Sequence, residues 1–183
     1  YLVEADVSGK GMPAALLMSE TRLSLQQACQ RGVAPAEALS TTNHQLYEDL
    51  TTAGRFITTF VGRYDAEVGQ ITYACAGHPA LLLSAQRDQA QLIQPEDPPI
   101  GIFNNYTFSQ GTIEFSAGDL LVVCSDGIIE AVNSTGDMYG QERLFELVER
   151  NRTLSSADLV KTLLGDIDQF TSGMAQTDDQ TVI

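Results

Sequence analysis

"RFITTFVGRYDAEVGQITYACAGHPALLLS", residues 55 to 84, decides what kind of fold this chain adopts. Its β-branched and aromatic residues come in short runs, broken around Asp65 to Gly69 and again at Gly77 to Pro79, which is the punctuation of strands and turns. The stretch reads as a hairpin closed by "AEVGQ" and followed by a third strand across the "AGHP" turn.

Toward the N terminus the pattern changes. "YLVEADV" reads as an opening strand, and Met12 to Arg31 then carries Ala14, Leu17, Met18, Leu25 and Ala28 at the 3-4 spacing of a helix with one buried face. Pro13 is tolerated because it falls in the first turn. A second helix starts at "APAEAL" and runs to about Leu50, with Leu39, Leu46 and Leu50 inward and His44 and Glu48 toward solvent.

Toward the C terminus, "AQRDQAQLIQPEDPPIGIFNN" (85 to 105) reads as a weak strand plus a surface loop. Strands resume with "YTFSQGTIEF" and "DLLVVCSDG", joined by the turn "SAGD". "GQERLFELVERN" and "SSADLVKTLLGDIDQF" are amphipathic helices, the second opened by a Ser cap. A block of strands with helix pairs before and after it predicts an α+β fold with largely antiparallel sheets, a two-sheet core with helices outside. There is no internal repeat and no interdomain linker, so residues 1–183 are expected to form a single domain.

Composition narrows the function. With 43% hydrophobic and 19% charged residues the chain suits a globular core, and no apolar run approaches the roughly 18 residues needed to cross a bilayer. No signal peptide is evident. The net charge of −14, with Lys10 and Lys161 the only lysines, argues against a nucleic-acid or anionic-membrane surface, and so against a nuclease. Cys29, Cys75 and Cys124 lack CxxC spacing and read as free thiols in a reducing, cytoplasmic compartment. The chain opens directly on a strand, without Met, and stops as another begins, which reads as a fragment cut at both ends.

In "EADVSGKGMPAALLM", residues 4 to 18, the glycines suggest a phosphate cradle, but a P-loop needs Gly where Glu4 stands and Ser or Thr where Gly11 stands. Asp6 is the better candidate. It follows a strand, Asp126 ends the run "LLVVCSDG", and Asp178 precedes a final strand in "TDDQTVI". A sheet can gather such strand-end carboxylates, and a hard divalent ion relieves their repulsion, which makes Mg²⁺ or Mn²⁺ the expected ligand. Singly, Asp126-Gly127 also reads as a turn and Asp178-Asp179 as a solvated strand entry.

"DVSGKGMPAALLM", "FITTFVGRYD", "GQITYACAGHPALLL", "FSAGDLLVVCSDGIIEAVNSTGDMYGQERL" and "DDQTVI" together resemble the PPM serine/threonine phosphatases of the bacterial sporulation stage II E type, in the right order over almost the whole chain. The resemblance implies a two-layer antiparallel β-sandwich flanked by helices, with two metal ions at one end. It implies that Asp6 bridges both metals, that the Val7 carbonyl ligates one, and that Asp126 and Asp178 hold the other. It further implies hydrolysis of phosphoserine or phosphothreonine by a metal-activated water, without a phosphoenzyme. The expected substrate is a phosphorylated anti-sigma-factor antagonist. An upstream regulatory domain of the same chain is expected, a homodimer is left open, and the competing reading is an inactive phosphatase-like module that docks a partner.

The sequence departs from the family in two places. Ser8 stands where eukaryotic members carry a histidine proposed as general acid, and the family draws a further acidic ligand from strands before the first motif. His78 in "AGHP" reads as a turn residue whose imidazole braces backbone, and Asp137 as loop solvation. Lys10 fits either phosphate attraction or electrostatic balance. The two N-terminal helices adjoin Asp6, so their packing is a candidate regulatory lever.

Overall fold

The computed structural model describes residues 1–84 and 90–183. Its elements in chain order begin with β1 (Leu2–Val7), α1 (Met12–Gln30), α2 (Pro35–Ala53), β2 (Ile57–Asp65), β3 (Gln70–Ala76) and β4 (Ala80–Leu83). They continue with β5 (Ala90–Ile93), β6 (Gly111–Glu114), β7 (Leu120–Val123), α3 (Asp126–Ile129), α4 (Gln141–Arg150) and α5 (Ser156–Thr171). The chain divides into two compact units, Tyr1–Pro79 with Gln94–Ser116, and Ala80–Ile93 with Ala117–Ile183. Every strand pair within the named sheets is antiparallel, as the α+β reading expects.

The first unit holds a four-stranded sheet in the order β1-β2-β3-β6. Alternation along β1 and β2 sends Val7, Ile57 and Val61 to one face, where they join Ala14, Leu17 and Leu25 of α1 and Leu39, Leu46 and Leu50 of α2 in one apolar cluster. Each buried Leu, Ile or Val there contributes about 1.5–3 kcal/mol, which in α2 outweighs the modest helix propensity of its Ser, Thr and Asn residues. The inward positions expected for both helices are the ones found, with Met18 only half-buried. Buried polar groups between α1 and α2 pair with one another, Ser24 Oγ lying 2.8 Å from Thr42 Oγ1. Gly54, at φ 62°, ends α2, and the next amide, Arg55 N, donates back to the Leu50 carbonyl at 2.9 Å.

The segment expected as a surface loop is anchored in this unit. Ile100 is fully buried and exchanges two backbone hydrogen bonds with Ile57, at 3.0 and 2.9 Å. The buried Asn43 side chain accepts from Gly101 N at 2.9 Å and donates to the Phe103 carbonyl at 3.0 Å. Those bonds pair part-buried backbone groups of the loop and tie it to α2, while Ile102 and Phe103 stay exposed. The weak strand expected just before it forms as β5, and residues 85–89 of that expectation lie outside the described residues. The strand expected from Tyr106 starts only at Gly111, because earlier amides are taken by side chains: Phe108 N donates to Ser40 Oγ at 3.1 Å and Ser109 N to Asp97 Oδ2 at 2.7 Å.

The second unit holds a three-stranded sheet in the order β5-β4-β7. The strand after "AGHP" therefore does not extend the β2-β3 hairpin but pairs with β5 and β7. Leu81, Leu83 and Val122 cluster with Ile128, with Leu144, Leu147 and Val148 of α4, and with Leu159, Leu163 and Ile167 of α5. The Ser155 cap forms as expected, its hydroxyl accepting from Asp158 N at 3.2 Å. No helix among the described residues is long and apolar enough to cross a membrane.

Candidate metal site

Asp6 is the penultimate residue of β1 and is half-buried, directly opposite Thr58 in the ladder. Val7 follows with its side chain in the core, 5% exposed, which fixes the strand end from below. The chain then turns at once. Ser8 N donates to the Phe56 carbonyl at 2.9 Å, the Ser8 hydroxyl accepts from Phe56 N at 2.9 Å, and Arg55 Nη1 donates to the Ser8 carbonyl at 3.1 Å. Gly9, at φ 85°, lies against that guanidinium so closely that a β-carbon there would overlap it. The glycine turn is thus a close backbone approach beside Asp6, and Arg55 is the residue that sequence reasoning missed.

Asp126 and Asp178 come together in the second unit. Val123 and Ile183 exchange backbone hydrogen bonds at 3.1 and 2.9 Å, Cys124 bridges Val182, and Ser125 N donates to the Thr181 carbonyl at 3.0 Å. The hydroxyl of the buried Ser125 donates to the Asp179 carbonyl at 2.8 Å and accepts from Thr181 N at 2.9 Å. Asp126 does not end a strand, as expected, but opens the short helix α3, because β7 stops at Val123 and Ser125 adopts an extended N-cap conformation. Gly127 packs directly on the Asp179 carbonyl, where no side chain fits. The carboxylates of Asp126 and Asp178 are exposed, and Asp178 Oδ1 accepts from Asp179 N at 2.8 Å.

Among the described residues, no group of three or more His, Cys, Asp or Glu side chains is gathered as a metal cluster. The donor chemistry nevertheless fits a hard ion: exposed carboxylates on backbone pinned by strand pairing and side-chain hydrogen bonds, with oxygen as the ligand atom throughout.

The remaining candidates take other roles. His78 is 3% exposed, with Nε2 3.3 Å from Glu4 Oε2 and Nδ1 3.4 Å from Thr58 Oγ1. Asp137 serves its own loop as expected, and hydrogen bonds from Thr135 and then Asn133 hold its carboxyl below the usual carboxylate range. Lys10 is exposed.

The architecture is that of the PP2C class of phosphatase domains. It matches the SiaA-PP2C domain of Pseudomonas aeruginosa with a TM-score of 0.86 and 16% identity, over 98% of this chain and 72% of that one. It also matches the catalytic domain of the serine/threonine protein phosphatase PstP in complex with two manganese ions, with a TM-score of 0.73 and 14% identity over 99% of this chain and 84% of that one. The chain belongs to the stage II sporulation protein E family, which it matches over residues 1–183. Phosphoserine phosphatase RsbU of Bacillus subtilis is 31% identical over 160 residues, 87% of this chain and 47% of that protein. The chain spans less than half the length of the curated relatives it matches.

Proposed function

We propose that residues 1–183 act as one phosphatase domain that hydrolyses phosphoserine or phosphothreonine on a protein substrate in a metal-dependent reaction. The observation that carries this reading is the clasp of Ser125 on Asp179 and Thr181, which holds the backbone after Asp178 against the residues flanking Asp126 in a chain of this family. Asp6 with the Val7 carbonyl in the first unit, and Asp126 with Asp178 in the second, would be the ligands of Mg²⁺ or Mn²⁺, a reading that the PstP complex with manganese supports. When bound, such ions offset charge on the phosphoryl oxygens and make a water acidic enough to attack phosphorus.

The chain's own residues supply positioning. β1 and β2 hold Asp6 in register, Arg55 and Ser8 fix the turn that follows it, and Gly127 lets the C-terminal segment lie against the start of α3. The Ser8 hydroxyl is a poor proton donor at neutral pH, so the proton for the leaving oxygen comes from water rather than from this side chain. The substrate is a phosphorylated anti-sigma-factor antagonist or a similar partner-switching protein in the cytoplasm. A regulatory domain of the same protein acts through α1 and α2, which pack on the face behind Asp6; the similarity to RsbU supports this setting.

The test is phosphate release from a phosphoserine protein by the full-length protein with Mn²⁺ and with chelator. Release that requires Mn²⁺ supports the reading. No release, with the partner still bound, assigns the chain to the inactive docking modules instead.

A further inference from the structure

Glu4 and His78 form a buried ionisable pair that the proposed chemistry leaves unused. Glu4 is 5% and His78 3% exposed, and their side chains meet at 3.3 Å. Burying two such groups costs several kcal/mol before pairing offsets it, and apolar residues of similar volume often serve a core equally well. A pure packing role is therefore a poor explanation for this pair.

The geometry around Asp6 offers a better one. Period-two alternation along β1 puts Glu4 on the same sheet face as Asp6. The β1-β2 register puts Thr58 directly opposite Asp6, and His78 Nδ1 reaches Thr58 Oγ1 at 3.4 Å. The imidazole thus touches the neighbour of Asp6 along its own strand and its neighbour across the ladder. Glu4 is fixed at its backbone as well, its carbonyl accepting from Thr59 Oγ1 at 2.6 Å. The backbone leading into His78 is held as well: Gly77 N donates to the Asp97 carbonyl at 3.1 Å, and a β-carbon at Gly77 would come within 2.8 Å of Pro99 Cγ.

We propose that His78 is a positioning residue for Asp6, tying Glu4 and Thr58 into one rigid frame that holds the end of β1 in a metal-binding conformation. The inference rests on the reading of Asp6 as a metal ligand. Groups that orient ligands in this way are worth about 10–100-fold in metal affinity.

The experiment is calorimetric titration of the full-length protein with Mn²⁺ alone, alongside thermal unfolding, for Asp6→Asn, His78→Ala, His78→Gln and Thr58→Val. Mn²⁺ affinity is expected to vanish in Asp6→Asn and to fall about tenfold or more in His78→Ala. His78→Gln, whose amide still reaches toward Glu4, should recover part of that loss, and Thr58→Val should weaken binding without lowering the unfolding temperature. Thr58→Val keeps the shape and β-branching of the native residue, so it decides the matter if His78→Ala does not fold. Affinity within about twofold of the parent in folded Thr58→Val and His78→Gln, with binding lost in Asp6→Asn, overturns the positioning role and leaves Asp6 a ligand. Unchanged binding in Asp6→Asn overturns both.

Discussion

The hydroxyl of Ser125 bonds to two residues of the C-terminal segment at once, donating to the Asp179 carbonyl at 2.8 Å and accepting from Thr181 N at 2.9 Å. Ser125 is 2% exposed and immediately precedes Asp126, so its side chain adds to the backbone pairing of residues 123–125 with 181–183 in holding the second acidic segment.

Replacing Ser125 by Ala removes two part-buried hydrogen bonds, at a cost of about 0.5–1.5 kcal/mol each. Urea unfolding should show that loss, and amides Asp179 to Ile183 should exchange hydrogen faster than those of β7. Equal protection before and after the substitution would show that strand pairing alone holds the segment.

Gly127→Ala tests the same junction by crowding it. The new methyl meets the Asp179 carbonyl, which must move with its backbone, and overpacking of this kind costs about 1–3 kcal/mol. Phosphatase activity should fall well beyond the loss in stability, because Asp178 shifts with Asp179. Activity that follows stability alone would separate Asp178 from the chemistry.

Away from the candidate site, Asp166 of α5 accepts from Arg143 Nε of α4 at 2.9 Å and from the Tyr139 hydroxyl at 2.8 Å. The Arg143 guanidinium, followed by the Tyr139 hydroxyl, holds the Asp166 carboxyl below its ordinary range against a smaller opposing effect of burial. Since the folded value lies below the unfolded one of about 3.9, the contribution is present above pH ~4 and is lost as pH falls through the folded value. Urea midpoints measured from pH 7 to pH 3 should fall more steeply for the parent than for Asp166→Asn.

The thiols should differ in reactivity. Burial, followed by the nearby Asp97 and Glu96 charges, pushes the Cys75 thiol up to about 12, whereas Cys29 is only half-buried. Between the unfolded value of about 8.5 and about 12 the folded state keeps a proton that the unfolded state releases, so stability falls as pH rises through that window. At pH 8 iodoacetamide should modify Cys29 first, and Cys75 only once denaturant is added, as read by peptide mass spectrometry.

Much of this fold was legible because its helices and strands carry strong periodicity. Leu17, Leu25, Leu39, Leu46 and Leu50 fall inward as their spacing requires, and the Ser cap at Ser155 marks the start of α5 by familiar backbone chemistry. Long-range pairing was not legible. β4 is buried at all four positions, so it has no polar face to reveal which sheet it joins. Ile100 looks like loop until Ile57 and Asn43 satisfy its surroundings from far along the chain.

The candidate site divides in the same way. Asp6, Asp126 and Asp178 stood out because each adjoins a strand-like run, and the latter two are brought together by the bridge from Cys124 to Val182. The Glu4–His78 pair and the Arg55 contact at Gly9 were invisible, since each joins side chains separated by more than 40 residues that no local pattern relates.

The central claim is that these carboxylates hold the ions on which phosphate-ester hydrolysis depends. The most direct measurement is the single-turnover rate of phosphate release from a phosphoserine protein at saturating Mn²⁺, for the full-length protein and its Asp126→Asn and Asp178→Asn variants. The account predicts that each substitution lowers the rate by about 100-fold or more, on the scale of losing transition-state charge stabilisation, in proteins that unfold at the parent temperature. Folded variants that release phosphate at the parent rate would contradict it.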